Sequence, residues 1–555
     1  MKKILFSHSY FLRFDPKQWA TGQPYAPLGT LYAAALTRSH GYDVSLFDTM
    51  FAKHPEELIP HLQEKDPDLL VMYDDGFNYL TKMCLTNMRE ASFKMIRLAK
   101  ERGCTVIVSS SDSTDHYEMY LNEGADFILL GEAELTLLEL VNAISNVVGE
   151  DTNHGMEVVG GDTNHGIGVV GGDTNHGMEV VGGDTNHGAA PVGVLTDRND
   201  HAMAPVLSDR QVSTDRNKYF FTIEGLAFKH NNAIVKTPRR SVMKELDTLP
   251  FPAWDIIDME PYRNMWLKHA GYFSMNMGTT RGCPFKCNWC AKPIYGNRYN
   301  SRSPENVIAE LHLLKAKFHF DHIWFCDDIF GLKPGWVNAF ADLVEKEKLQ
   351  FKFKMQGRVD LLLQENNIKD LARAGCDNIW MGAESGAQKI LDAMDKGITV
   401  EQIYEATRLL KKNGIKPSFF IQFGYPGETK ADIEKTISMI NELLPHEIGI
   451  SVSYPLPGTV FFEKVKNQLH EKSNWTDSDE LALMFRNTYQ PAFYKQLHRY
   501  VHKTYRKHIA FENIQQLFLH PLKTNFRTVK KALSGLYYAP AAFLEKQKLL
   551  QLEKS

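Results

Sequence analysis

Twice along this chain, short β-branched runs alternate with amphipathic stretches of helical period, and that alternation leaves few folds open. In the first set, the pattern predicts strands at 3–7, 43–47, 68–73, 105–109 and 126–130, with helices at 28–39, 55–64, 93–102 and 116–122. Strands separated by helices of this length imply a parallel, doubly wound sheet. The ligand crevice of such a sheet lies beyond the carboxyl ends of its strands. The second set predicts strands at 274–278, 322–326, 352–356, 378–381, 417–423 and 447–453. Six β/α units suit a barrel or partial barrel.

Two such modules need a long chain, and 555 residues allow two or three domains. Hydrophobic content of 43% and charged content of 23% are those of a globular protein, and a net charge of -4 gives no footprint for nucleic acid. The apolar part of the opening MKKILFSHSYF is about four residues, short of the roughly 7–15 of a signal core, and reads as a first strand. No uninterrupted apolar run approaches the ~20 residues of a membrane span. Seven cysteines, an odd number, suggest a reducing compartment and a cytoplasmic protein. Cys84, Cys104, Cys326 and Cys376 are scattered and read as small buried apolar residues.

Between the two sets runs a repeat of eleven residues, approximately GGDTNHGMEVV, four times over 149–194. Its glycine-rich polar composition cannot bury a core and reads as a linker. The rival reading is a metal ladder of His154, His165, His176 and His187. Residues 220–236 predict a hairpin turning at 230–232, and 246–258 predict a proline-stiffened strap. The expected organisation is therefore 1–145 a Rossmann-like domain, 146–197 a repeat linker, 198–270 hairpin and strap, 271–470 a barrel, and 471–555 a helical region.

The chemistry sits in TTRGCPFKCNWC, immediately after a predicted strand. Cys283, Cys287 and Cys290, spaced C-x3-C-x2-C, can wrap one loop around one iron–sulfur cluster. Three ligands leave one iron open, whereas a structural zinc site takes four, and no local fourth ligand is present. This run resembles the signature of the radical SAM superfamily. The resemblance implies a four-iron, four-sulfur cluster whose open iron chelates S-adenosylmethionine, with reductive cleavage giving a 5′-deoxyadenosyl radical. It implies further that Trp289 lies beside the adenine. Phe325-Cys326-Asp327-Asp328, Met381-Gly382-Ala383-Glu384-Ser385-Gly386 and Phe423-Gly424-Tyr425-Pro426-Gly427-Glu428-Thr429 resemble the family's strand-end segments. They nominate Asp327, Asp328, Glu384, Ser385, Gly424 and Pro426 as SAM-binding. Arg358, also past a strand end, reads equally as a ligand or as a salt-bridge partner of Asp360 or Glu384.

A doubly wound domain before such a barrel resembles the cobalamin-binding branch of the superfamily. Pro27-Leu28-Gly29, Ser109-Ser110 and Gly131-Glu132-Ala133-Glu134 match the branch's segments, which implies cobalamin contacts at Pro27, Leu28, Gly29, Ser109, Ser110, Gly131 and Glu132. No D-x-H-x-x-G occurs, and His54 and His116 lie outside that context, so the lower face of the cobalamin is expected to lack histidine. No G-x-G-x-x-G follows the first strand, which argues against a dinucleotide.

Residues 474–498 resemble the region after the barrel in enzymes like the anaerobic magnesium-protoporphyrin monomethyl ester cyclase. From residue 493 onward, twelve Lys/Arg face three acidic residues, a composition that suits a helical cap over the barrel mouth or a contact with an anionic membrane. These resemblances imply a cobalamin-dependent radical SAM enzyme that modifies an unactivated carbon of a small molecule such as a lipid or tetrapyrrole. C-methylation is favoured over oxidative cyclisation, and a non-catalytic cobalamin or iron–sulfur sensor is the rival of another class. A low-potential flavodoxin or ferredoxin is the expected reductant.

Overall fold

In the computed structural model, residues 2–77, 85–149, 216–292, 294–469, 474–519 and 525–553 are described. The repeats and Cys84 lie outside these residues. The first sheet comprises β1 (Lys3–Ser7), β2 (Asp43–Phe47), β3 (Leu69–Tyr73), β4 (Thr105–Ser109), β5 (Phe127–Leu129), β6 (Leu226–His230) and β7 (Ala233–Lys236). Its order is β2-β1-β3-β4-β5-β6-β7. β1 through β5 pair parallel, as helical crossovers require. β3 is buried at every residue, as expected of a strand covered on both faces.

The hairpin β6–β7 was expected in a connecting region. Instead it extends the first sheet, β6 pairing antiparallel with β5. Asn231 and Asn232 turn it at φ of 48° and 63°, the left-handed conformation that two-residue hairpin turns favour and asparagine tolerates.

The second set comprises β8 (Ser274–Met277), β9 (Thr280–Arg281), β10 (Asn300–Ser301), β11 (His322–Phe325), β12 (Lys352–Gly357), β13 (Cys376–Glu384), β14 (Lys416–Phe423) and β15 (Glu447–Val452). β9 and β10 form a small ribbon, and the rest make a six-stranded sheet of order β8-β11-β12-β13-β14-β15, parallel throughout. One face carries Met275, Ile323, Phe325, Phe353, Met355, Ile379, Met381 and Phe419, all sealed under the helices. The other face carries Trp324, Lys354, Trp380 and Phe420, none of them fully buried. Ser303 caps the helix Pro304–Phe318 by accepting from the Asn306 amide, with Pro304 at the first helical position, as the sequence predicts.

The two sheets belong to one body made of Met1–Ser145 and Tyr219–Ser555. After β15, residues 474–489 are largely irregular, and the helices Pro491–Leu519, Phe526–Leu533 and Gly535–Leu552 follow. The irregular segment straps the two sheets together. Thr86 N–H donates to the Trp475 carbonyl, Ser478 Oγ to Asp15 at 2.8 Å, and Asn487 to the Gly424 carbonyl. No helix among the described residues is long and apolar enough to cross a membrane.

Candidate active site

The cysteine loop begins where β9 ends, and its entry is set by Gly282. At φ 80°, a Cβ there would stand 2.3 Å from the Arg298 carbonyl oxygen, so only glycine lets the loop close on itself. Asp327, at the end of β11, anchors the strand feeding the loop. Its carboxylate accepts from the Thr279 amide at 2.6 Å, the Thr280 amide at 2.9 Å and the Thr279 hydroxyl. Burial pushes its pKa up to about 7 against those hydrogen bonds. Asn288 pins the far side of the loop. Its amide group donates to Ala393 and Asp395, both at 2.8 Å, and it accepts from the Tyr425 hydroxyl at 2.8 Å.

Cys283, Cys287 and Cys290 are all free and half-buried on this loop. Burial raises the Cys283 thiol and pushes Cys290 up to about 12, with the Lys292 cation opposing both. Among the described residues, no three His, Cys, Asp or Glu side chains converge as ligands of a single metal ion. A four-iron cluster is a larger body and needs thiolates spread around it, and three cysteines on one loop are the donor set for that. The surroundings suit an anionic cluster. Arg358 reaches to 3.7 Å from Cys287 Sγ, lies 3.7 Å over the Phe285 ring and bonds Asp360 at 2.9 Å. The Trp289 indole N–H is buried without a partner, so the loop also has an unspent donor.

Next to the loop, β13 carries an irregularity between Gly382 and Glu384, and Glu384 sits at φ 56°. A bulge of this kind re-aims a side chain. Here it turns Glu384 onto Lys396, 2.8 Å away and buried with it. Burial alone would lower the Lys396 pKa, but Glu384 and Cys287 raise it. Gly382 makes room for the pair, since a Cβ there would stand 2.4 Å from Lys396 Nζ. The same ammonium lies 5.9 Å from the Trp289 ring.

Of the residues expected to bind SAM, Trp289 and Glu384 thus gather around the cysteines. Asp328 joins them, half-exposed, its charge raising the Cys283 and Cys290 thiols. Asp327 instead has both oxygens committed to the loop's own threonines. Ser385 shares its hydroxyl with Thr436 at 3.1 Å and receives the Ala387 amide. Gly424 and Pro426 build a turn closed by Glu428, which accepts from the Gly424 amide at 2.7 Å. That turn touches the cysteine loop through the Tyr425 hydroxyl. Lys396 was not foreseen; its signal was a lone lysine twelve residues past Glu384, which a helical surface would also carry.

On the first sheet, a narrow cleft with a cavity volume of about 10 Å³ opens beyond β3, β4 and β5. It is lined by Asp74, Asp75 and Gly76, by Ser109 through Ser111, by Gly131, and by Ile294 and Tyr295 from just past the cysteines. This is the crevice a doubly wound sheet offers a ligand, although its volume is small for cobalamin, whose seating requires the walls to part. Ser109, Ser110 and Gly131 are among its lining residues. Pro27, Leu28, Gly29 and Glu132 are not. Leu28 is sealed in the core, and Gly29 donates its amide to Asp75 in a close backbone crossing. Glu132 accepts from Arg281 and from the Met243 amide. Among the described residues, no histidine lines the cleft. His54 is exposed beside Glu56, His116 lies near Asp112, and His8, buried at the end of β1, bonds Asp48 at 2.9 Å. Asp74 and Asp75 escaped the sequence reading, though their place directly after a strand end was a usable signal.

Arg281, also unforeseen, joins the cleft to the loop. Two residues before Cys283, it is buried, donates to Glu132 and Glu134, and lies 5.3 Å from the Tyr295 ring. Burial would lower its pKa, but Glu134 and the other neighbours raise it well above the usual value.

Comparison with known proteins places this geometry. Residues 277–440 match the Radical SAM superfamily. An uncharacterised methyltransferase of Pyrococcus horikoshii is 30% identical over 255 residues, 46% of this chain and 54% of the relative. The anaerobic magnesium-protoporphyrin IX monomethyl ester cyclase of Rubrivivax gelatinosus is 26% identical over 262 residues, 46% of this chain and 45% of the cyclase. The chain thus spans about half the length of these curated relatives. A solved structure of the radical S-adenosylmethionine methyltransferase TsrM from Kitasatospora setae, with cobalamin and [4Fe-4S] cluster bound, superposes with a TM-score of 0.59 at 16% identity, covering 84% of this chain and 78% of that one. Residues 277–440 are therefore a radical SAM domain, and the chain shares the fold of that methyltransferase over most of its length.

Proposed function

We propose that this protein is a cobalamin-dependent radical SAM enzyme that methylates an unactivated carbon of an apolar or polycyclic small molecule. One observation carries the reading: a single loop serves both halves of the site. Residues 281–295 hold the three cysteines, and the same stretch gives Ile294 and Tyr295 to the cleft and Arg281 to Glu132 and Glu134 of the first sheet. A ligand in the cleft would therefore be wall to wall with the cluster loop. When bound, the cluster and SAM supply a hydrogen-abstracting radical and cobalamin a methyl group, chemistry beyond any side chain here.

The chain's own part is to hold and orient. Cys283, Cys287 and Cys290 ligate the cluster, and Arg358 and Lys396 put cations beside it. Trp289 offers a ring and an unspent N–H to the nucleobase, and Asp328 and Glu384 offer acceptors to the ammonium or ribose of SAM. Ser109, Ser110 and Gly131 would hold cobalamin, in a cleft that no histidine among the described residues lines. The aromatic inner face supports an apolar substrate. Trp380 and Phe420 stack there at 4.8 Å, and Lys354 is boxed by Tyr25, Trp266 and Trp324 at 5.2, 5.9 and 5.5 Å. A flat ring system can lie on such a platform.

Oxidative cyclisation is the second reading, favoured by the similarity to the cyclase. The test is anaerobic reduction of reconstituted protein with SAM, candidate lipids and tetrapyrroles. Methylation predicts 5′-deoxyadenosine together with S-adenosylhomocysteine. 5′-Deoxyadenosine alone would favour the cyclase, and no cleavage at full iron and cobalamin content would refute both.

A further inference from the structure

The three C-terminal helices end in a surface that the reaction does not use. Phe518 and Leu519 close the first helix, Phe526 and Leu533 lie on the second, and Leu536 begins the third. Their exposures are 83%, 72%, 82%, 61% and 80%. Single exposed apolar residues are ordinary, but five large ones this exposed within nineteen residues of sequence are not. On Phe526–Leu533 the arrangement is inverted. Ala532 is buried, while Phe526, Val529 and Leu533, at the i, i+3, i+7 spacing of one helical stripe, face outward.

The charge around them is one-sided. From 513 to 544 the sequence holds four Lys/Arg and no acidic residue. Lys530 and Lys531, between the exposed Phe526 and Leu533, form no ion pair among the described residues. The helices that present this tip are themselves firmly seated. Tyr505 donates to the carbonyls of Pro445 and His446 at 2.6 and 2.8 Å, Lys503 and Arg506 reach the hydroxyls of Tyr537 and Tyr538, and Gln496 bonds Glu545.

We infer that this tip docks the protein on an anionic lipid bilayer, with the apolar side chains entering the headgroup boundary and the cations meeting the lipid phosphates. The chemistry favours a bilayer over a second copy of the chain. A two-fold contact would set Lys530 and Lys531 against their own copies, with no acidic residue between 513 and 544 to answer them. The apolar residues also project as knobs, which a bilayer accommodates without a complementary groove. This surface is separate from the cluster loop and the cleft, so its test is independent of the reaction.

The test uses the full chain and vesicles of phosphatidylcholine, alone or mixed with phosphatidylglycerol, in a sedimentation assay at low and high salt. Binding to the anionic vesicles, weakened at least tenfold on neutral vesicles and in high salt, is expected. The variant F518S/F526S/L536S should lose that binding at least tenfold. K530Q/K531Q should lose about thirtyfold, the attraction of two cations to an anionic surface. Both should melt within a few degrees of the parent, since the substituted side chains are exposed. Equal vesicle binding by the triple variant and the parent, or no binding by the parent, would overturn the proposal. So would a dimer, seen by analytical ultracentrifugation, that the triple variant abolishes.

Discussion

Replacing Arg281 by methionine keeps the unbranched stem of the side chain and removes the guanidinium that Glu132 and Glu134 share. All three groups are buried, so the variant leaves two carboxyl groups in the core without their counter-ion. Breaking a buried pair by deleting one partner costs about 3–5 kcal/mol. That is a large part of the roughly 5–15 kcal/mol a folded domain has in all. The loss should depend on pH. Burial already raises the Glu132 pKa while Arg281 opposes it. A carboxyl whose folded pKa is raised contributes stability at low pH and loses it as pH rises through the folded value. Without Arg281 that value climbs further, so the deficit of the variant should be largest at pH 8 and shrink toward pH 5.5.

Thermal and denaturant melts of the anaerobically purified protein at the two pH values measure this, with iron content reporting on the loop. The triple variant E132Q/E134Q/R281M leaves no charge in this network and should recover most of the loss, because neutral replacement of a whole buried network costs far less than breaking it. An R281M protein that melts like the parent at pH 8 with full iron would refute the reasoning, as would a deficit independent of pH.

Cys283→Ala, Cys287→Ala or Cys290→Ala should abolish SAM cleavage and deplete iron. Cys326→Ala and Cys376→Ala, whose buried thiols donate to the carbonyls of Met277 and Asn378, should retain the cluster; full iron in a triad variant would contradict the assignment. Glu428 is buried, with one oxygen unpartnered and its pKa pushed by burial up to about 8. The parent should therefore lose stability as pH rises through 8 while Glu428→Gln does not, and parallel melting curves from pH 6 to 9.5 would count against this. Paramagnetic resonance of the cobalt(II) form should show no nitrogen superhyperfine coupling, and a single-nitrogen pattern lost on replacing His54 or His116 would overturn the histidine-free lower face.

The parts of the fold that sequence made legible are those decided locally. Strands 3–7, 43–47 and 105–109 and the helix 28–39 have the predicted ends, because β-branched runs and helical stripes there are bounded by turn or charged residues. The helix Thr86–Lys100 starts seven residues before the predicted 93, since its first turns are polar and carry weak periodicity. Long-range decisions were hidden. β6 pairs with β5 across the whole repeat segment, and alternation alone does not say which sheet edge a hairpin will join. The site divides the same way. The cysteines, Trp289 and Glu384 stood in motifs, whereas Arg281 meets carboxylates 149 and 147 residues away. Glu132 looked like a cofactor contact because the sequence does not reveal a buried counter-ion at that distance.

The central claim, methyl transfer to a carbon substrate, is tested most directly with SAM carrying deuterium in its methyl group. Reduced, cobalamin-loaded protein is incubated with labelled SAM and candidate lipids or tetrapyrroles, and the products are read by mass spectrometry. The account predicts a product bearing the deuterated methyl group, with S-adenosylhomocysteine and 5′-deoxyadenosine formed in similar amounts. An unlabelled product, formed with 5′-deoxyadenosine and no S-adenosylhomocysteine, would contradict it.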